Sequence, residues 1–234
     1  MKLGAMQPYF FPYLGYFDLI NCADRWIVAD TVQYMKQGWV NRNRILNPSG
    51  GWQYIIMPTR KHSHRAAIGE IEVNDAADWR GLIVRQLEHY RKKAPFYGQV
   101  QALVEQCLSI QDSSLCRLNV AILKNVCACL QIRFEPTYLS ELGPSLGAIE
   151  QPDDWALRMA EAVGADEYVN PPGGTNLYDV EKFTRSRVKL TIRPLIDLTY
   201  NCSPYEFVPC LSIIDVLMWN APDRVKAYLD RLRE

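Results

Sequence analysis

Between Thr31 and Gly69 the chain carries no aspartate or glutamate, yet it holds Lys36, Arg42, Arg44, Arg60, Lys61 and Arg65, with His62 and His64. Lys+Arg and Asp+Glu balance at 26 each over the whole chain, so this stretch is a local positive field suited to phosphate, pyrophosphate or carboxylate. Arginine grips such groups through two parallel hydrogen bonds, and lysine acts as a point charge. A solvated basic loop with its carboxylate partners elsewhere in the fold has the same composition. Within the stretch, DTVQYMKQGWVNRNR packs Asp30, Gln33, Lys36, Trp39, Asn41, Arg42, Asn43 and Arg44 around one glycine. So polar and aromatic a segment suits a loop lining a pocket, with polar groups orienting a ligand and Trp39 covering a sugar or base face. A surface loop anchored by one tryptophan is the alternative.

Three other segments carry candidate chemistry. MQPYFFPYLGY, residues 6–16, is stiffened by two prolines and brings Gln7, Tyr9 and Tyr16 to a turn before a helix. Free N–H groups at a helix start make an anion site; an aromatic packing plug reads the same way. NPPGGTNLYD, residues 170–179, offers Asn170 and Tyr178 around Gly173 and Gly174, where backbone and ligand approach closely. A ligand-free turn is equally compatible. In FVPCLSIIDVLMWN, Ser212 and Asp215 stand three apart, the spacing of a helix cap, which is the preferred reading. No G-x-S-x-G is present. Cys202 or Cys210 with His62 or His64 is a minor nucleophile alternative. The seven cysteines and three histidines show no metal-ligand spacing, so no metal is expected.

The elements that position these residues follow from periodicity. Residues 2–6 read as a strand, 13–23 as a helix and 25–29 as a strand ending at Asp30. That is the βαβ opening of a Rossmann-like, mainly parallel α/β sheet. Ligands of such sheets sit beyond the carboxyl ends of the strands, where Gln7, Tyr9 and Asp30 fall. Residues 52–57, 68–73, 132–138, 167–170 and 188–193 are further strands. The run 76–130 reads as a helical middle segment broken at Pro95, an insertion within a single domain 1–234. Helices 153–163, stopped by Gly164, and 211–219 and 221–232 complete the chain. An apolar share of 48% excludes disorder. Zero net charge speaks against DNA binding by mass electrostatics. With no basic–apolar–small leader and no long apolar run, a cytoplasmic protein without membrane insertion is expected.

MQPYFFPYLGYFDLI, DTVQYMKQGWVNRNRIL, YVNPPGGTNLYD and FVPCLSIIDVLMWN together resemble the motifs of the WbqC-like proteins, across residues 6 to 220. The matching positions are Gln7, Pro8, Tyr9, Pro12, Gly15, Tyr16, Asp30, Gln33, Lys36, Trp39, Asn41, Arg42, Asn43, Arg44, Asn170, Gly173, Gly174, Tyr178, Ser212 and Asp215. The resemblance implies a product of bacterial O-antigen or related surface-polysaccharide genes, transferring glycine or a related acyl group to an amino sugar. The first turn is also similar to the nucleotide-binding turn of nucleotidyl-transferring α/β enzymes, but it lacks their histidines, which speaks against nucleotidyl transfer.

The leading expectation is therefore an acyl or aminoacyl transferase acting on a nucleotide-linked amino sugar. Asp30 and Lys36 are the catalytic candidates: Asp30 orients or deprotonates the amine, and Lys36, with Arg42 and Arg44, neutralises phosphate. Gln7, Tyr9, Tyr16, Gln33, Trp39, Asn41, Asn43, Asn170, Gly173, Gly174 and Tyr178 complete the substrate site. ATP or an acyl donor is the candidate cosubstrate, and a second copy of the chain a candidate partner. A non-catalytic sugar-phosphate binding module and a scaffold with an aromatic interface are the other readings.

Overall fold

The computed structural model describes residues 1–147, 149–151, 153–173, 178–196 and 198–233. Its centre is a five-stranded, all-parallel sheet: β1 (Lys2–Met6), β2 (Arg25–Val28), β5 (Pro136–Tyr138), β6 (Glu167–Asn170) and β7 (Lys189–Ile192), in the order β5-β2-β1-β6-β7. A separate antiparallel hairpin joins β3 (Arg42–Leu46) to β4 (Trp52–Ile56). The expected mainly parallel α/β fold is what forms, opening on β1, α1 (Leu14–Cys22) and β2.

The central strands β1, β2 and β6 are short and mostly buried, as a helix-covered parallel sheet requires, while the edge strands β5 and β7 are only partly buried. In β2, Trp26 and Val28 enter a larger core with α1, α2 (Trp79–Leu87), α3 (Tyr97–Leu108), α4 (Leu115–Cys129), α8 (Ile213–Trp219), α9 (Pro222–Arg233) and the hairpin. Ile27 and Ala29 point the other way, into a smaller core with α5 (Leu139–Leu142), α6 (Asp154–Val163) and α7 (Val180–Arg185). The helices α2 to α4 of the middle segment thus bury their apolar faces in the same core as α1 and α8. Local chemistry sets the boundaries. Asp78, Ser114, Asp179 and Ser212 cap α2, α4, α7 and α8 through their side-chain oxygens. Gly164 ends α6 in the left-handed conformation at φ 68°. Pro222 is the first residue of α9, where its missing N–H costs nothing.

Two expectations need correction. Residues 68–73 are not a strand: Ile68–Glu70 forms a 3-10 turn, and only single-residue bridges tie Ala67 to Gln33, Val73 to Thr59 and Glu72 to Ser114. Ile68, Ile71 and Val73 are all fully buried, a spacing of three then two that no strand can point in one direction. The polar segment 30–44 is a loop only as far as Asn41, because Arg42, Asn43 and Arg44 belong to β3. Asn43 looks unsuited to an inward strand position, but its amide is consumed by the carbonyls of Phe10 and Phe11, at 3.0 Å each.

Candidate functional site

In the order β5-β2-β1-β6-β7 the chain runs outward from β1 in one direction through β2 and β5, then returns to β6 and runs outward in the other. The switch point lies between β1 and β6, where open α/β sheets leave a crevice beyond the carboxyl ends of their strands. A cleft of about 770 Å³ occupies that place. Met6 ends β1 there with Gln7 after it, Ala29 follows β2, and Asn170 ends β6 with Pro171 after it.

Of the sequence-derived candidates, Gln7, Tyr9, Trp39, Asn43, Arg44, Asn170, Gly173 and Tyr178 line the cleft. Asn170 is buried and accepts the Tyr178 hydroxyl at 3.1 Å. Arg44 donates to the carbonyl of Cys210 at 3.3 Å, and its guanidinium carbon lies 5.2 Å from the Trp39 ring. Gly174 lies outside the described residues.

The other candidates sit elsewhere. Tyr16 is fully buried beneath the turn and donates to the Gln7 carbonyl at 2.9 Å. Asp30 is buried and does not line the cleft: its two carboxylate oxygens accept the Ser140 N–H at 3.0 Å and the Ser140 hydroxyl at 2.6 Å. It fastens the end of β2 to α5. Asn41 donates to the Met57 carbonyl at 3.0 Å and Gln33 to that of His64 at 2.9 Å. Lys36 is exposed on a turn. Arg42 donates to the Gln37 carbonyl and lies over Tyr54. The cations of residues 31–69 therefore converge only in part. Arg44 enters the cleft wall, while Arg60 pairs with Glu72 at 3.3 Å.

The first turn is held by three buried polar side chains. Besides Asn43, Asn119 donates to the carbonyls of Pro8 and Val40 at 2.8 and 2.6 Å, and the Ser212 hydroxyl to that of Phe11 at 2.7 Å. Ser212 also caps α8, as its spacing suggests. Leu14 and Gly15, at the start of α1, face Ile196, Leu198, Tyr200 and Phe207 rather than the main cleft, so the expected anion cup does not open there.

The deciding comparison is that the WbqC-like protein family model matches residues 7–227. The chain belongs to the WbqC-like protein family. It is also 29% identical, over 245 residues, to an uncharacterized protein of Mycobacterium tuberculosis, covering 100% of this chain and 99% of that one. No solved structure matches.

The cleft of this WbqC-like protein contains residues that the sequence did not single out, Tyr13, Trp155, Met159 and Tyr168 among them, and Cys210, named there only as a minor nucleophile alternative. Trp155 and Met159 stand one turn apart on α6, a spacing indistinguishable in sequence from core packing. Lys182, bonded to both Asp153 and Asp154, clamps α7 to α6 and so holds Tyr178 beside Trp155. The lysine beside it pulls the Asp154 carboxyl down to about 2. Burial raises the phenols of Tyr9 and Tyr178, and lifts Tyr13 to about 12. They are therefore neutral hydrogen-bond donors near pH 7, not bases. Among the described residues no aspartate, glutamate, histidine or lysine lines the cleft.

Gly15 makes the Tyr13 position available. A Cβ there would meet the Tyr13 ring at 2.4 Å, so the ring packs directly against the Gly15 backbone in the first turn of α1. Gly15→Ala is expected to displace that ring and cost about 1–3 kcal/mol, as overpacking does. Urea unfolding, with tyrosine fluorescence as a second probe, measures this; a variant as stable as the parent contradicts the packing.

Proposed function

We propose that this protein is a transferase of bacterial surface-polysaccharide biosynthesis, moving an acyl or aminoacyl group to the amine of a nucleotide-linked amino sugar. The observation that carries this reading is the switch-point cleft, with one arginine, Arg44, set among aromatic rings and neutral donors. Arg44 engages the phosphates, Trp39 and Tyr9 cover the sugar, and Gln7, Asn170 and Tyr178 supply directional hydrogen bonds. The amine nitrogen attacks the donor carbonyl, and phenol and amide donors stabilise the developing oxyanion. The intermediate collapses with loss of the donor's alcohol or thiol, which takes the amine proton. A donor activated as an ester or thioester has a good leaving group, so this step asks less of a strong base than amide formation from a free acid. Asp30 enters as a positioning residue that holds the end of β2, and Lys36 as a charge on the approach.

A second reading is favoured by the cleft's lack of a carboxylate or imidazole among the described residues: a binding module that presents a sugar phosphate to a partner. One screen serves both. Thermal shift against nucleotide sugars, nucleotides and acyl donors, on the parent and on Arg44→Ala, is expected to give a shift that the variant loses. A ligand at a hundred times its Kd stabilises by about 2.7 kcal/mol. If no phosphate-bearing compound shifts the parent, both readings fall. If a nucleotide sugar binds but no donor is consumed with it, the binding module stands.

A further inference from the structure

The hairpin beside the cleft presents a second recognition surface. On its outer face Arg44 stands opposite Tyr54 and Arg42 opposite Ile56, and Trp52 pairs with the buried Leu46 at the end of the hairpin. The Arg44 guanidinium is held between two tryptophans, 5.2 Å from the Trp39 ring and 5.1 Å from the Trp52 ring. The Arg42 guanidinium lies 4.2 Å from the Tyr54 ring, and Trp52 meets Tyr54 edge to face at 4.9 Å. Trp39 and Trp52 remain 38% and 40% exposed, and Met35 and Ile56 more so. Core packing does not explain this face.

Two properties define its occupant. The first is charge. No acidic residue occurs between Thr31 and Gly69, and Arg42 and Arg44 of that stretch stand on this face, so it favours an anion. The second is repetition. Trp52 and Tyr54 of β4 lie beside Arg44 and Arg42 of the paired β3, and from Trp52 to Ile56 this face runs about 13 Å, which exceeds a single base. Cations for backbone phosphates with aromatic faces for stacking bases are the chemistry of single-strand nucleic-acid grooves. Zero net charge confines that chemistry to this patch.

We infer that the hairpin binds the single-stranded 3′ end of an RNA, which carries the acyl or aminoacyl group as a ribose ester and delivers it to the cleft past Trp39 and Arg44. This rests on the transferase reading above and names its donor class. In the step the acceptor amine attacks the ester carbonyl, the C–N bond forms and the ester C–O bond breaks. The ribose hydroxyl leaves with the proton released by the amine, and no oxidant or reductant is needed.

Fluorescence anisotropy with a labelled six-nucleotide single-stranded RNA that carries no acyl group tests the surface without turnover. The parent is expected to bind, with log Kd rising by about 0.7 per contacted phosphate for each tenfold rise in salt. Trp52→Ala and Arg42→Ala are each expected to weaken binding about tenfold or more, and a blunt duplex of the same sequence to bind at least about tenfold less tightly. Trp52→Leu, which keeps bulk and loses the ring face, replaces the alanine variant should that one lose its fold. No binding at low salt, variants equal to the parent, or a duplex that binds as well as the single strand each overturn the inference. A nucleotide-sugar thermal shift on the parent runs alongside. If it persists without RNA binding, only the RNA donor falls; if both are absent, the transferase reading falls with it.

Discussion

Replacing Arg193 with alanine will lower the folding free energy by about 3–5 kcal/mol, the cost of stranding a buried charge. The guanidinium donates through Nε and one terminal nitrogen to the two oxygens of Asp18, at 2.9 and 2.8 Å. The same terminal nitrogen reaches the Leu232 carbonyl at 2.6 Å. The side chains are 16% and 3% exposed, so water cannot replace what is lost. The pair also joins three elements: Asp18 on α1, Arg193 just past β7 and the last turn of α9. A total stability of about 5–15 kcal/mol is usual for a domain, so the variant gives up a large share. Asp18→Asn in the alanine background removes the stranded charge and is expected to restore part of the loss. Urea unfolding reads both. A loss under about 1 kcal/mol, the range of exposed ion pairs, contradicts the buried assignment. The cleft should feel the change too, because Leu195, two residues on, lines it.

Neither partner of that pair announces itself in the sequence. Asp18 sits in the helical run YFDLI and Arg193 at the end of an alternating strand, and their separation of 175 residues leaves no local trace. The same limit governs the site. The parallel sheet was legible because β1, α1 and β2 announce themselves by period alone, and the switch-point crevice follows from that opening. Gln7 and Tyr9 were legible because they follow a strand end, and Asn170 and Tyr178 because they flank a glycine pair in a polar turn. Asp30 also follows a strand end, yet its carboxylate is taken by Ser140, 110 residues away, which position on a strand cannot reveal. The basic stretch was read as one field because the sequence places its cations side by side. Folding divides them: the β3 alternation turns Arg42 and Arg44 outward and Asn43 and Ile45 inward, and Arg60 finds Glu72. Trp155 and Cys210 reach the cleft only through tertiary packing.

Asp215 carries the other large effect, and its sign depends on pH. The carboxylate is buried on α8 and accepts the hydroxyls of Tyr90 and Tyr200, at 2.6 Å each. Tyr90 in turn accepts the Leu46 N–H at 3.0 Å. One carboxyl thus binds α8 to Tyr200 and, through Tyr90, to β3. Burial outweighs these hydrogen bonds and raises the Asp215 carboxyl above its ordinary value. The folded group therefore holds its proton to a higher pH than an unfolded aspartate does, and folding takes up a proton between the two values. Stability from this group is greatest below the ordinary carboxylate range and falls as pH rises through the raised value. Asp215→Asn has no proton to take up. Its amide oxygen accepts from Tyr90, and its NH2 faces the Tyr200 oxygen. The parent should lose stability relative to this variant as pH climbs through that window, and parallel urea profiles from pH 4 to 8 would refute the linkage. Asp215→Ala removes the acceptor of both hydroxyls and opens a cavity. It is expected to cost about 3 kcal/mol or more at any pH in that range, because neither ring can turn to water from inside the core.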